Sequence, residues 1–385
     1  MWPPLFADRQ TPLFVKFDTR PIWPEIKATF GVDATGAAII MALHEAQNIN
    51  NGWVSYSRSR TFYATKARHP LLTFRSVVAA VDALDAGGWI EHHRQVPGGR
   101  GWQSSMQATP QLMDATGRIL EGGPPLRLVM PSQTIILRDA DGREIDPKPT
   151  RQIDRMGRQV EALNEAVTSA EVLTMDGRPL VAPMRRIFND SMERGGRLYG
   201  MGPSWQNLPK ADRKRVTIDG EAVVELDYST LHPAILYGEV GAPMPEDCYA
   251  IGSWPRDLVK IAMLTMINAK TIQTARLSIA HSTDMAELAG DEQQALRLAS
   301  QLVEDIKTAH RPIAHAFHSD AGARLMRKDS DMAVSIMLEL RRKGIIALPV
   351  HDSFLVPASK RDALEAAMME AAHAIGLREI RIKQA

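Results

Sequence analysis

The 385-residue sequence predicts an α+β chain, and three observations carry that reading. Apolar residues recur at three- and four-residue steps in several stretches, the period of one buried helix face. Short alternating runs, among them Val223-Val224-Glu225-Leu226-Asp227 and the segments on either side of His351-Asp352-Ser353, have the two-residue period of strands. The apolar fraction of 44% and charged fraction of 24% are those of an ordinary globular chain, which excludes wholesale disorder.

Length alone suggests two or three domains, with two the working number, each able to bury its own core. The start, MWPPLFADRQTP, has neither a basic nor an apolar signal segment, and no apolar run approaches the roughly 20 residues needed to span a bilayer. With a single cysteine, Cys248, no intrachain disulfide can form. A cytoplasmic, reducing location and no membrane partner are therefore expected. The formal net charge of +1 is uninformative, so charge has to be read locally.

After an N-terminal extension (1–30), a helix is expected from about Asp33 to Asn50, capped by Asp33 or Thr35, with Ile39, Ile40, Leu43 and Ala46 at helical spacing. A short helix is expected near Arg58 to Lys66. Another opens at Thr73, presents Val77, Val78, Val81 and Leu84 on one face, and ends at Gly87-Gly88. Trp89 to His93 and Trp102 to Ala108 then read as a hairpin around Pro97-Gly98-Gly99-Arg100-Gly101. This is the order of a winged helix-turn-helix (31–118), and it resembles the winged-helix domains of bacterial transcription regulators. Between Ser57 and Ala108, Arg58, Arg60, Lys66, Arg68, Arg75, Arg94 and Arg100 outnumber Asp82, Asp85 and Glu91, as suits a phosphate-facing surface. DNA contact is expected through Arg58, Arg60, Arg75, Arg94 and Arg100.

A Pro/Gly-rich connector (119–150) with an extended stretch at Thr134 to Leu137 follows. Beyond it Ile153, Met156, Val160, Leu163 and Val167 form the stripe of one helix. Val223 to Asp227 then reads as a strand delivering Asp227 to its end, and Leu231 starts a helix. The apolar runs flanking His351-Asp352-Ser353 read as a hairpin whose tip presents Asp352. Brought together, the two aspartates could hold two Mg²⁺ ions roughly 3.5–4 Å apart, the arrangement that activates a hydroxyl and stabilises a leaving pyrophosphate. By spacing alone the pair is unremarkable, since any chain has aspartates.

The flanking residues add to it. Arg197-Leu198, Trp205-Gln206-Asn207-Leu208-Pro209, the basic Arg213-Lys214-Arg215 and Asp227-Tyr228-Ser229 occur in that order. So arranged, they resemble the palm of family A DNA polymerases, where an RL…NLQNIP phrase precedes a basic patch and a strand ending in DYS. His351-Asp352-Ser353 resembles the motif carrying the second metal-binding aspartate, with the Ser of single-subunit phage RNA polymerases. Arg256 and Lys260, one helical turn apart, resemble the fingers helix that holds the incoming triphosphate, a task for which two cations on one face are suited. Two positions depart from the family: His232 stands where its Glu excludes ribose, and Asn268-Ala269 replaces Tyr-Gly.

The resemblance implies a polymerase-like palm, an antiparallel sheet with helices, with reduced fingers and thumb over 151–385. The helix from Ile153 to Val167 could serve as the thumb, while Arg324, Arg327, Lys328 and Ser330 could line the nucleic-acid path. The helix from Ser330 to Arg341, striped by Met332, Ile336 and Leu340, would pack under the palm. Asp227 and Asp352 would bind two Mg²⁺ or Mn²⁺ ions, with the Tyr228 carbonyl a further candidate ligand. Arg256 and Lys260 would hold the triphosphate, with His232 and Asn268 bordering sugar and base. Arg197, Gln206, Asn207 and Arg213 would face nucleic acid. The expected function is template-directed nucleotidyl transfer, a DNA or RNA polymerase with primer-template and dNTP or NTP as partners. The alternatives are a DNA-binding regulator or replication-initiation protein with a non-catalytic palm, and an untemplated terminal transferase.

Overall fold

The computed structural model describes residues 11–47, 52–63, 69–95, 103–377 and 380–385, and over them the chain is α+β. The first elements are β1 (Thr11–Pro12), α1 (Trp23–Phe30), α2 (Ala34–Ala46), β2 (Val54–Tyr56), α3 (Arg60–Tyr63), α4 (Phe74–Ala86), β3 (Ile90–His93), β4 (Ser104–Ala108) and α5 (Pro110–Gly122). Asp33 starts α2 by accepting a hydrogen bond from Gly36 N at 2.9 Å, so one of the helix's orphan amides is satisfied. Thr73 and Ser76 form a reciprocal capping box at the start of α4. Their apolar stripes meet in one core with Ile39, Leu43, Val81, Leu84 and Met106 fully buried, each such side chain stabilising the fold by about 1.5–3 kcal/mol. Antiparallel β2, β4 and β3 cover it, and β1 adds to β2 in parallel. The expected turn at Pro97 to Gly101, with Arg100, lies outside the described residues, as do Lys66 and Arg68.

Helix α5 differs from the sequence expectation, which put a boundary at 118 and a connector beyond it. Thr109 caps this helix, Pro110 takes its first turn, and Leu112 and Ala115 bury in the same core. Its buried face is short, Leu112, Ala115 and Thr116, and its last turn runs into the Gly122-Gly123-Pro124-Pro125 stretch that reads as connector.

The rest of the chain forms β5 (Ile135–Arg138), β6 (Glu144–Ile145), α6 (Arg151–Ser169), β7 (Val172–Leu173), β8 (Met184–Asn189), β9 (Ser191–Gly200), α7 (Lys210–Arg213), β10 (Thr217–Ile218) and β11 (Glu221–Tyr228). These are followed by α8 (Leu231–Val240), α9 (Arg256–Asn268), α10 (Ile272–Ala280), α11 (Thr283–Leu288), α12 (Glu292–Ala309), α13 (Ala321–Arg342), β12 (Leu348–Val350), β13 (Ser353–Pro357), α14 (Arg361–Ala374) and β14 (Ile382–Gln384). One sheet has the order β12-β13-β11-β10-β7, with β14 pairing the end of β11; a second has the order β6-β5-β8-β9. Helix α13 lies along β9 and packs on α6 and α14, burying Met332, Ile336 and Leu340. These elements share a second core, to which α6 contributes Met156, Val160, Leu163 and Val167. Among the described residues no single helix is long and apolar enough to cross a membrane.

The two cores are joined in part through a buried cation. Lys16 Nζ donates to Glu45 at 2.6 Å and reaches the Pro203 carbonyl at 3.5 Å. Beside it Phe14 lies against Gly202, whose φ is +78°; a Cβ there would come within 2.3 Å of the Phe14 ring, so the contact requires glycine.

Candidate active site

Strand β11 is long enough to pair on both sides at its end. On one side β13 runs antiparallel with Asp227 opposite Ser353, and on the other β14 sets Lys383 opposite Asp227. Strands β12 and β13 pair Val350 with Ser353, leaving a two-residue turn of His351 and Asp352. His351 takes φ +64° there, the left-handed conformation that such tight hairpins demand. Since directly paired residues stand about 4.5–5.5 Å apart, the register brings the Asp352 backbone next to the end of β11. The hairpin is anchored from below. Buried Trp205 Nε1 and Gln206 Nε2 both donate to the Pro349 carbonyl at 2.9 Å, and Gln206 also bonds Leu198 O and Gly200 N.

The electrostatics of the pair are unbalanced. Burial, then the negative charge of Asp352, push the Asp227 carboxyl up to about 6, against the pull of Lys383, whose Nζ is 3.6 Å away. Two residues earlier on the same face, Glu225 is buried but fully neutralised: Arg213 donates to both its oxygens at 3.0 Å, and Ser353 Oγ donates to it at 2.7 Å. Burial and the Arg197 charge hold the His351 imidazole below its usual value.

A second cluster borders the first. Asp329 on α13 is buried, accepts from Arg197 Nε at 3.2 Å and Nη2, and pairs with His232 Nε2 at 2.9 Å. Burial opposes the Arg197 charge, but the Asp329 carboxylate more than offsets it and the guanidinium pKa is raised; the charge of Asp352 acts on it too. His232 sits in the first turn of α8, entered through Thr230 at φ +59°.

Other candidates are distributed as follows. Tyr228 is buried, its hydroxyl donating to Met368 O at 2.5 Å. Arg256 begins α9, held by Asp247 at 2.7 and 3.2 Å and stacked on Tyr249, whereas Lys260 one turn on is exposed. Among the described residues no hydrogen bond or ion pair joins either cation to Asp227, Asp352 or His232. Asn268 ends α9, its Nδ2 bonding Leu264 O, and its Oδ1 lies where a Cβ on Gly322 of α13 would go.

Several residues expected on the nucleic-acid path have internal partners instead. Gln206 and Arg213 are engaged as described, Asn207 closes the turn at Ser204, and Arg197 belongs to Asp329. Arg327 and Ser330 are buried against β9 rather than lining a path, while Arg324 and Lys328 pair with Glu239. In the N-terminal unit Arg58 is bidentate to Asp82, and Arg94 also reaches Asp82 and Asp85. Arg60 rests over the Phe74 ring and Arg75 is exposed. For Arg58, Arg94, Arg197, Arg213 and Arg324 the cause is the same: an acidic residue close in space takes up the arginine, and that neighbour is remote in sequence.

Asp329 and Lys383 were not singled out from sequence. Asp329 sits in a helical Lys-Asp-Ser-Asp run with no distinguishing spacing, and Lys383 acquires its role only through strand pairing. Glu225 was legible in part, since a two-residue period puts it on the face of Asp227.

Among the described residues no group of three or more His, Cys, Asp or Glu side chains is disposed to hold a metal. The donor set at the hairpin tip is two carboxylates whose repulsion Lys383 relieves only in part, which suits a hard divalent cation taking its remaining ligands from phosphate and water.

No family model matches the chain, and no relative is found among curated proteins. Among solved structures, the POL domain of Pol1 from M. smegmatis, complexed with DNA primer-template and dNTP, aligns with a TM-score of 0.34 and 16% identity. The alignment covers 61% of this chain and 51% of that one, so the chain spans about half the length of that structure. A likeness at that level bears no weight for fold or function.

Proposed function

We propose that the chain is a template-directed nucleotidyltransferase whose reaction centre is the Asp227–Asp352 pair. The observation that supports this most is the β11–β13 register, which joins two carboxylates remote in sequence at the end of a central strand. Their charges are only partly compensated, by Lys383 at 3.6 Å from Asp227, whereas neighbouring Glu225 is held by both arms of Arg213. A raised carboxyl pKa in a paired-acid site is a common mark of a functional centre.

In this reading Asp227 and Asp352 hold two Mg²⁺ or Mn²⁺ ions, with the Tyr228 carbonyl a further candidate ligand. Those ions, when bound, supply Lewis-acid polarisation of the phosphoryl oxygens and a more acidic nucleophile hydroxyl. The protein's part is to keep the carboxylates close and partly dry. Arg256 and Lys260 share one face of α9 and offer positive charge to the triphosphate; Arg256 must first exchange Asp247 for it. His232, held by Asp329, and Asn268 border sugar and base. The N-terminal helices and hairpin are read as a winged helix-turn-helix, with exposed Arg60 and Arg75 available to phosphate. DNA primer-template and dNTP or NTP are the proposed partners.

The test is incorporation of labelled dNTP and NTP by the purified chain, with and without primed template, in Mg²⁺ or Mn²⁺. Activity that survives in Asp227→Ala would refute the site.

One observation favours a second reading. Lys383 Nζ stands 3.6 Å from Asp227 Oδ2, where it can substitute for a cation. On that basis the chain is a DNA-binding regulator or replication-initiation protein whose palm does not catalyse. DNA binding without turnover on any template distinguishes it. Comparing product with template sequence separates copying from untemplated addition.

A further inference from the structure

A cleft of about 530 Å³ opens between α6, α13 and α14. Arg327, Asp331, Val334, Leu338 and Arg342 line it from a single stripe of α13, while Asp329, two residues from Arg327 and Asp331, is carried round to the opposite face. The cleft is therefore separate from the cluster around His232 and Arg197.

Its inner wall holds two guanidiniums withdrawn from water. The side chains of Arg186 and Arg327 are only 2% and 11% exposed, and both stack on the Phe188 ring, at 5.2 and 5.4 Å. They share one carboxylate. Asp331 Oδ1 accepts from Arg186 Nη2 at 2.5 Å and ion-pairs with Arg327 Nη1; Arg186 also donates to Gly196 O at 2.6 Å and Ser330 Oγ at 2.8 Å, and Arg327 Nε to Met192 O at 2.9 Å, all neutral acceptors. Asp331 itself is half exposed, at 51%.

The other charges of the lining do not correct this. Glu339 is committed to Arg342 and Lys343 at 2.8 and 3.2 Å. Arg155 on α6 and Glu370 on α14 are exposed across the mouth. Two buried cations that share one half-exposed anion leave an excess of positive charge withdrawn from water, which is costly. An entering oxyanion relieves that cost. Guanidinium forks match tetrahedral phosphate, whose several oxygens can serve both arginines at once. The remaining lining is mixed, with Gln152, Gln159 and Ser335 beside buried Met156, Val334 and Ala371, and the volume is that of a small-ligand site.

We propose that this cleft binds a phosphorylated ligand of nucleotide size, its phosphate on Arg186 and Arg327. The proposal is independent of the role assigned to Asp227 and Asp352. It is tested by calorimetric titration of the full chain carrying Asp227→Ala and Asp352→Ala, without divalent metal. The probes are ATP, AMP, inorganic phosphate and a short single-stranded oligonucleotide. The expected result is ATP or AMP binding at or below about 1 mM, with inorganic phosphate competing.

Ser335→Trp and Ala374→Trp, both at exposed lining positions, should each weaken nucleotide binding about tenfold or more at unchanged melting temperature. Arg327→Lys keeps the charge but not the fork and should weaken nucleotide binding to a similar degree, with some loss of Tm because Arg327 Nε also bonds Met192 O. Nucleotide affinity unmoved by both tryptophans, or absent at millimolar concentration, overturns the site. Binding confined to the oligonucleotide overturns the small-ligand assignment. Because these readouts do not involve turnover, their failure is distinct from a failure of the proposed chemistry.

Discussion

Lys383 Nζ approaches Asp227 Oδ2 to 3.6 Å across the β14–β11 pair, yet burial and Asp352 still hold the aspartate's pKa at about 6. The lysine thus relieves only part of the strain of placing two carboxylates together.

That strain has a pH signature. An unfolded aspartate titrates near 3.9, so between about pH 4 and 6 the folded state binds more protons here than the unfolded state. Stability contributed at this position is therefore greatest at low pH and falls as pH rises through that window. Asp227→Asn removes the charge. At pH 8 it should stabilise by about 2 kcal/mol, a rise of roughly 2–4 °C in Tm, and below pH 4 make no difference. A Tm at pH 8 that is unchanged or lowered would contradict the electrostatics.

For activity, Asp227→Ala and Asp352→Ala should each lower nucleotide incorporation by about 10²–10³-fold or more, comparable to losing a principal electrostatic contact. The double variant should be little worse than either single one, because the two act as a unit. Additive losses, measured in single-turnover incorporation, would argue against a shared centre.

Arg213 and Glu225 provide a contrast in which charge is compensated. Arg213→Ala leaves a buried carboxylate unpaired and should cost about 3–5 kcal/mol in denaturant unfolding. Adding Glu225→Leu should recover part of that loss. If the double variant proves less stable than the sum of the two single effects, the pair is not the closed unit described.

Gly322 reports on the packing of α13 against the end of α9. A Cβ at that position would lie 1.8 Å from Asn268 Oδ1, the end of an exposed side chain, so Gly322→Ala should turn that side chain away from its bond to Leu264 O while gaining about 1 kcal/mol of helix propensity. In an Asn268→Ala background nothing opposes the new methyl, and Gly322→Ala should stabilise by more than it does in the parent. Equal effects in the two backgrounds would show that the two side chains do not meet.

The N-terminal arginines divide by their partners. If the unit binds DNA through phosphates, Arg60→Ala and Arg75→Ala should each reduce the slope of log affinity against log salt by about 0.9. Arg58→Ala should instead lower Tm, since it deprives Asp82 of its bidentate partner. Equal salt slopes in all three would undo the division.

Much of the architecture could be read from the sequence because it is local. The cap at Asp33, the stripe from Met156 to Val167, the Asp227 strand and the hairpin tip at Asp352 depend on period and on near neighbours. What could not be read is pairing. Nothing in Arg213 says that it meets Glu225, nor in Arg58 that it meets Asp82, and residues assigned to nucleic acid by composition prove to be held by remote carboxylates. Gln206 and Asn207 sit in a motif expected to face a strand of nucleic acid, but their amides saturate backbone and turn groups. The end of helix α5 was hidden for a local reason, its last turn merging with a Gly-Gly-Pro-Pro run that reads as loop.

The Pro349 carbonyl accepts from both Trp205 and Gln206, and on the far side of the turn Ser353 Oγ bonds Glu225 and the Val350 carbonyl. The frame is thus fastened on each flank, while its two tip residues carry none of these fastenings. For protein engineering that makes His351-Asp352 an exchangeable cassette, where a different acid or a neutral ligand could be installed to alter ion preference while the scaffold beneath keeps its register.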